Sequence, residues 1–131
     1  MHPKQRALEN KLYEMSMDLD HHLEDTFGSK FPLHPNRLER GMASSPNYDG
    51  LFSTGVQFTP GYGSKYGRGY LLDIDIRTLS FVKKEQKTKI EEEAIAYLEK
   101  IMPTYFPTRN LKIKRDGVLI KIIGDFSLGS A

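Results

Sequence analysis

Asp116-Gly117 lies between Leu111-Lys112-Ile113-Lys114-Arg115 and Val118-Leu119-Ile120-Lys121-Ile122-Ile123. Asp-Gly between two apolar-alternating segments is the strongest short-range signal for a two-residue β-hairpin, because both central positions of the favoured turn need positive φ. A lone hairpin is marginal in water, so this one demands further strands and a covering layer for its apolar face. A turn at Asp116-Gly117 sets Ile113 opposite Ile120, Lys112 opposite Lys121 and Lys114 opposite Leu119. Directly opposed lysines repel unless acids lie alongside them.

The further strands are read from period-two alternation. Phe52, Thr54, Val56 and Phe58 fall on one side of a strand beginning near Leu51, with Gly55 predicting a bulge or a close backbone contact. Tyr70, Leu72, Ile74 and Ile76 alternate with Leu71, Asp73, Asp75 and Arg77, the clearest strand pattern in the chain. Two helices supply the covering layer. Residues 4–27 carry Leu8, Leu12, Met15, Leu19, Leu23 and Phe27 at spacings of three and four, and Gly28 is a natural stop. The opposite face, with Lys4, Glu9, Glu14, Asp18 and Asp25, is expected to meet water. The second helix has Ile90, Ala94, Leu98 and Ile101 on one face and an end at Pro103; its firm part starts at about Thr88, from the Thr88–Glu91 capping box, and a frayed or separate turn over the lysines upstream is the alternative start.

The order α-β-β-α-β-β predicts an α+β fold: a four-stranded, mainly antiparallel sheet with two helices packed on one face. At 131 residues the chain is expected to be a single domain, with a long loop over 29–50 and the sheet and second helix over 51–125. There is no cysteine, which removes disulfide frameworks, thiol nucleophiles and thiolate metal sites. Residues Met1–Arg6 lead into a charged amphipathic pattern and no long apolar run follows, so a cytoplasmic protein with no membrane partner is expected. Nineteen Lys and Arg against seventeen Asp and Glu give +2, too weak a field to imply a polyanionic partner by itself.

Local chemistry is therefore what matters, and it gathers between the first two strands. Gly61-Tyr62-Gly63-Ser64-Lys65-Tyr66-Gly67-Arg68-Gly69-Tyr70 holds four of the eleven glycines, three of the seven tyrosines and two cations. Successive backbone N–H groups with Lys65 and Arg68 suit a phosphate, and Tyr62, Tyr66 or Tyr70 suits a base. Gly63, Ser64, Lys65, Tyr66, Gly67, Arg68 and Tyr70 are the candidate ligand-binding residues. The expected role is a non-catalytic domain that binds single-stranded nucleic acid or a phosphorylated small molecule, with no cofactor implied. An alternative is a protein-interaction or homodimerisation module using the apolar stripe of the first helix.

Tyr62-Gly63-Ser64 followed by Asp73-Ile74-Asp75-Ile76 resembles the signature of the nucleotidyltransferase superfamily. In that family a Gly-Ser turn grips the triphosphate and two aspartates on one strand face hold Mg²⁺. The resemblance implies metal-dependent nucleotidyl transfer, with Asp125 as the third carboxylate, and makes this a second alternative. It covers residues 62–76 and departs from the family in its shorter gap and in lacking a helix between turn and strand. Without it, Asp73 and Asp75 are the solvent face of a strand, neutralising Lys112, Lys114 and Lys121 across the sheet.

Other groups read as surface. Asp18 with His22, and His21 with Asp25, have i, i+4 metal-ligand spacing, yet each pair supplies two ligands on a polar helix face. His2 and His34 have no evident partner, and Ser44, Ser45 and Ser64 lack a nucleophile-elbow context. Lys83, Lys84, Lys87 and Lys89 form the densest positive patch, explained by pairs such as Glu85–Lys89.

Overall fold

The computed structural model describes residues 3–43, 49–60, 69–116, 119–124 and 126. Two helices, α1 (Pro3–Phe27) and α2 (Lys84–Tyr105), and four strands, β1 (Phe52–Thr59), β2 (Gly69–Ile76), β3 (Leu111–Asp116) and β4 (Leu119–Gly124), follow the order α-β-β-α-β-β. The strands form one antiparallel sheet in the spatial order β1-β2-β4-β3. Phe52, Tyr70, Leu72, Ile113, Ile120 and Ile122 share one sheet face and join Leu8, Leu12, Met15, Leu19 and Leu23 of α1 and Ile90, Ala94, Leu98 and Met102 of α2 in one buried cluster. Burying each Leu, Ile, Met or Phe among them contributes about 1.5–3 kcal/mol. The α1 stripe at Leu8, Leu12, Met15, Leu19 and Leu23 is buried in this core.

Several local expectations need correcting. The hairpin pairs Asp116 with Leu119 and Lys114 with Lys121, so its turn falls one residue later than expected and Lys112 stands opposite Ile123. This register keeps the same parity as the expected one, so both put the same side chains on the core face and alternation cannot separate them. Gly55 pairs regularly with Asp73, and a Cβ there would meet nothing within 4 Å, so it marks neither a bulge nor a close contact. Helix α2 begins at Lys84, with Gln86 Oε1 accepting from Lys83 N–H at 3.0 Å, one turn before Thr88. At its other end the helix runs through Pro103. Proline removes a single hydrogen bond, and the buried Met102 and Phe106 hold the final turn, where Phe106 N–H donates to Met102 O at 2.8 Å.

The polar side of α1 is not a free surface. Asp18 accepts from the hydroxyls of Tyr97 and Tyr105 at 2.5 and 3.0 Å. His22 stacks on Tyr97, centroids 3.9 Å apart, and its Nε2 lies 2.8 Å from Glu93 Oε1. These contacts join α1 to α2 above the core, and they occupy the Asp18 and His22 groups whose spacing suggested a metal.

Residues 28–51 hold no helix or strand among those described, apart from an isolated bridge between Leu38 and Asp49. The described residues of this segment are nonetheless tightly fixed. Arg40 forms ion pairs with Asp20, Glu24 and Asp49, and Arg37 donates to the carbonyls of Asp49, Gly50 and Phe52 at 2.9–3.2 Å. Asp49 Oδ2 accepts from the N–H groups of Gly41 and Ala43, and the Glu24 carboxylate from Leu51 N–H. Asp20 has no exposed surface, and burial raises its carboxyl above the ordinary range against the pull of Arg40. The Thr54 hydroxyl lies beside it, yet neither that oxygen nor Asp20 Oδ2 has a hydrogen-bond partner among the described residues.

Candidate functional site

Of the seven candidate ligand-binding residues, Gly63, Ser64, Lys65, Tyr66, Gly67 and Arg68 lie outside the described residues, and only Tyr70 is placed. The structure fixes the base of their segment. Thr59 pairs with Gly69, and a Cβ on Gly69 would run into the carbonyl oxygen of Ile122, so glycine permits this close packing of β2 on β4.

Tyr70 is buried, its ring edge-on to Phe58 and Phe126 at centroid distances of 5.7 and 5.2 Å. Its hydroxyl donates to Glu9 Oε2 at 3.1 Å, and burial with the negative charge of Glu9 pushes its pKa up to about 12. Tyr70 is thus placed in the core cluster, with its ring against Phe58 and Phe126. Its alternation with Leu72, Ile74 and Ile76 already carried that signal.

The end of the sheet from which residues 60–68 spring also gathers cations. Tyr70, Ile122 and Ile113 lie in one row, so Gly69 is level with Ile123 and Lys112, two strand spacings or about 10 Å away. A cleft of about 400 Å³ runs between α2 and β3, lined by Glu99, Phe106, Arg109, Lys112 and Lys114 among others. A second, of about 430 Å³, lies across Phe106-Pro107, with Lys4, Lys11 and Arg109 in its wall. Lys112 and Lys114 are exposed. These cations were missed as a group because they come from three separate segments. Only their shared position around the start of β3 makes them one feature.

The carboxylates do not assemble comparably. Asp73 and Asp75 are both exposed, and Asp75 pairs with Arg77 at 3.2 Å along its own strand, not with the hairpin lysines. Lys121, expected on the outward face, is only 2% exposed. Ser64 and Asp125, which the nucleotidyltransferase resemblance requires, lie outside the described residues. Among the described residues no three His, Cys, Asp or Glu side chains are grouped to hold a metal ion, and no helix is long and apolar enough to cross a membrane.

Comparison with known proteins gives a family but no activity. A family described as "Uncharacterised protein" matches residues 3–124, and the chain belongs to that family. An uncharacterized protein of Borreliella burgdorferi (strain ATCC 35210 / DSM 4680 / CIP 102532 / B31) is 45% identical over 123 residues, which cover 94% of this chain and 96% of the relative. No solved structure matches. The family membership spans both helices and all four strands, and with them both clefts.

Proposed function

We propose that this chain is a small, non-catalytic domain of the cytoplasm that binds a phosphorylated ligand, single-stranded nucleic acid foremost, at the end of the sheet bearing residues 60–68. The supporting observation is the convergence of Arg109, Lys112 and Lys114 on a cleft about 10 Å from the base of the segment that carries Lys65 and Arg68. In this reading Lys65, Arg68 and the β3 cations contact successive phosphates, backbone N–H groups of Gly63, Ser64 and Gly67 approach one of them, and Tyr66 supplies the stacking face. The near-neutral net charge makes the binding local and moderate, with a strong dependence on salt.

Fluorescence anisotropy with short labelled RNA strands across a salt series tests this on the native protein, Lys65→Ala/Arg68→Ala and Lys112→Ala/Lys114→Ala. Each double variant is expected to weaken binding and to lower the log–log salt slope by about 1.4, two contacts at about 0.7 each. Native protein that leaves RNA unbound at low salt would remove nucleic acid from the proposal. Binding unchanged in both variants would move the site elsewhere.

A further inference from the structure

A second surface lies at the other end of the sheet, in the connection between β2 and α2. Phe81 is 84% exposed and Leu79 73% exposed, the two most exposed large apolar side chains among the described residues. They lie in a short connection that is tied at both ends. On one side, Arg77 N–H donates to Leu51 O at 2.7 Å and Arg77 O accepts from His34 N–H at 2.8 Å. On the other, the first turn of α2 closes with Lys87 N–H on Lys83 O at 3.0 Å. Ser80 N–H donates to Thr78 Oγ1 within the connection. Leu79 and Phe81 are exposed between these two anchors. The exposed lysines that open α2 follow at once in the chain, Lys83, Lys84, Lys87 and Lys89, with the exposed Glu85 among them.

We infer that residues 77–89 dock the domain on an anionic phospholipid surface, with Leu79 and Phe81 entering the boundary between headgroups and acyl chains and Lys83, Lys84 and Lys87 meeting lipid phosphates. Two features favour a bilayer over a protein partner. The exposed apolar surface here is only two side chains, Leu79 and Phe81, whereas a stable protein interface needs roughly 1,000 Å² of complementary surface. A lipid boundary accepts a small wedge without shape matching. The cations that follow this apolar pair complement an anionic leaflet, whose attraction acts within about 8–10 Å of its surface. This contact lies on the surface of the membrane and needs no spanning helix, and it does not depend on the proposed nucleic-acid site.

The experiment is sedimentation of the full chain with phosphatidylcholine vesicles and with vesicles in which phosphatidylserine replaces part of the phosphatidylcholine. The expected result is partition onto the phosphatidylserine vesicles only. Leu79→Ser/Phe81→Ser should weaken it by about tenfold or more, and each of Lys83→Gln, Lys84→Gln and Lys87→Gln by about fivefold. The chain has no tryptophan, so Phe81→Trp gives a single indole fluorophore whose emission should shift to the blue on the phosphatidylserine vesicles and stay put on the others. No partition of the native chain at low ionic strength overturns the inference. So does partition that survives loss of both apolar side chains, or an indole emission in the Phe81→Trp variant that bound vesicles leave unmoved. Self-association of the native chain that Leu79→Ser/Phe81→Ser abolishes, without vesicle binding, reassigns the two side chains to a second copy and overturns it equally.

Discussion

Arginine and lysine serve opposite purposes at the two ends of the sheet. Near the start of β1, Arg37 and Arg40 turn inward: one guanidinium meets three backbone carbonyls, the other three carboxylates, and together they tie residues 49–52 to the described residues before them and to α1. Near the start of β3, Lys112 and Lys114 turn outward along a cleft. A guanidinium holds several planar acceptors at once and tolerates partial burial, which suits an internal clamp. An exposed ammonium keeps its hydration until a ligand phosphate replaces it. The difference teaches that a cation's partners, not its presence, mark it as structural or available.

Arg40→Met tests that contrast most severely. It leaves Asp20 and Asp49 buried without their shared cation and should cost about 3–5 kcal/mol in urea unfolding. A loss below about 1 kcal/mol would place Arg40 with the outward cations, while partial recovery in Asp20→Asn/Arg40→Met would sharpen its assignment as a clamp.

The acid side of the same clamp carries a pH signature. Because burial raises the Asp20 carboxyl in the folded chain, that chain binds the proton more tightly than the unfolded one. Its contribution is therefore present below the ordinary carboxyl pKa and is lost as pH rises through the raised value, with a slope of up to about 1.4 kcal/mol per pH unit. Urea midpoints measured from acid to neutral pH should show this fall in the native chain, and Asp20→Asn should flatten it. A native curve that rises more steeply than that of the variant would reverse the sign and refute the reading.

A smaller effect is expected where the two helices meet. Tyr97→Phe removes the hydroxyl that donates to Asp18 and should cost about 1 kcal/mol. That hydrogen bond, with burial, pushes the phenol up to about 12. Its contribution is accordingly kept below pH 10 and lost as the pH climbs toward 12, and ultraviolet titration should find one late-ionising phenol fewer in the variant. Smallest of all, Lys112→Ala/Lys114→Ala should alter unfolding by no more than about 0.5 kcal/mol, since both side chains are exposed and Lys114 faces Lys121. A large loss there would show that these lysines also carry the fold.

Much of the fold was legible because its signals are periodic. The α1 stripe at Leu8, Leu12, Met15, Leu19 and Leu23 and the β2 alternation at Tyr70, Leu72, Ile74 and Ile76 report burial directly. The hairpin register was not legible, since a parity-preserving shift leaves both faces unchanged. The Arg40 clamp was hidden for another reason. Asp20 and Asp49 are far apart in sequence, and the only local hint was Asp20 sitting beside Leu19 on the border of the stripe. Lys65 and Arg68 announced themselves by composition, whereas Arg109, Lys112 and Lys114 became a cleft only through the packing of α2 on β3. Exposure of Leu79 and Phe81 could not be read at all, because nothing in Leu-Ser-Phe distinguishes a buried connection from an exposed one.

The strand order β1-β2-β4-β3 sets a timetable for biosynthesis. Residues 119–124 follow both helices and the other three strands in the chain, yet β4 fills the interior place between β2 and β3. Until those six residues have left the ribosome, the β1–β2 pair and β3 have no shared neighbour. The hydrophobic faces of α1 and α2 therefore wait over an incomplete sheet, and assembly ends with an insertion into the middle.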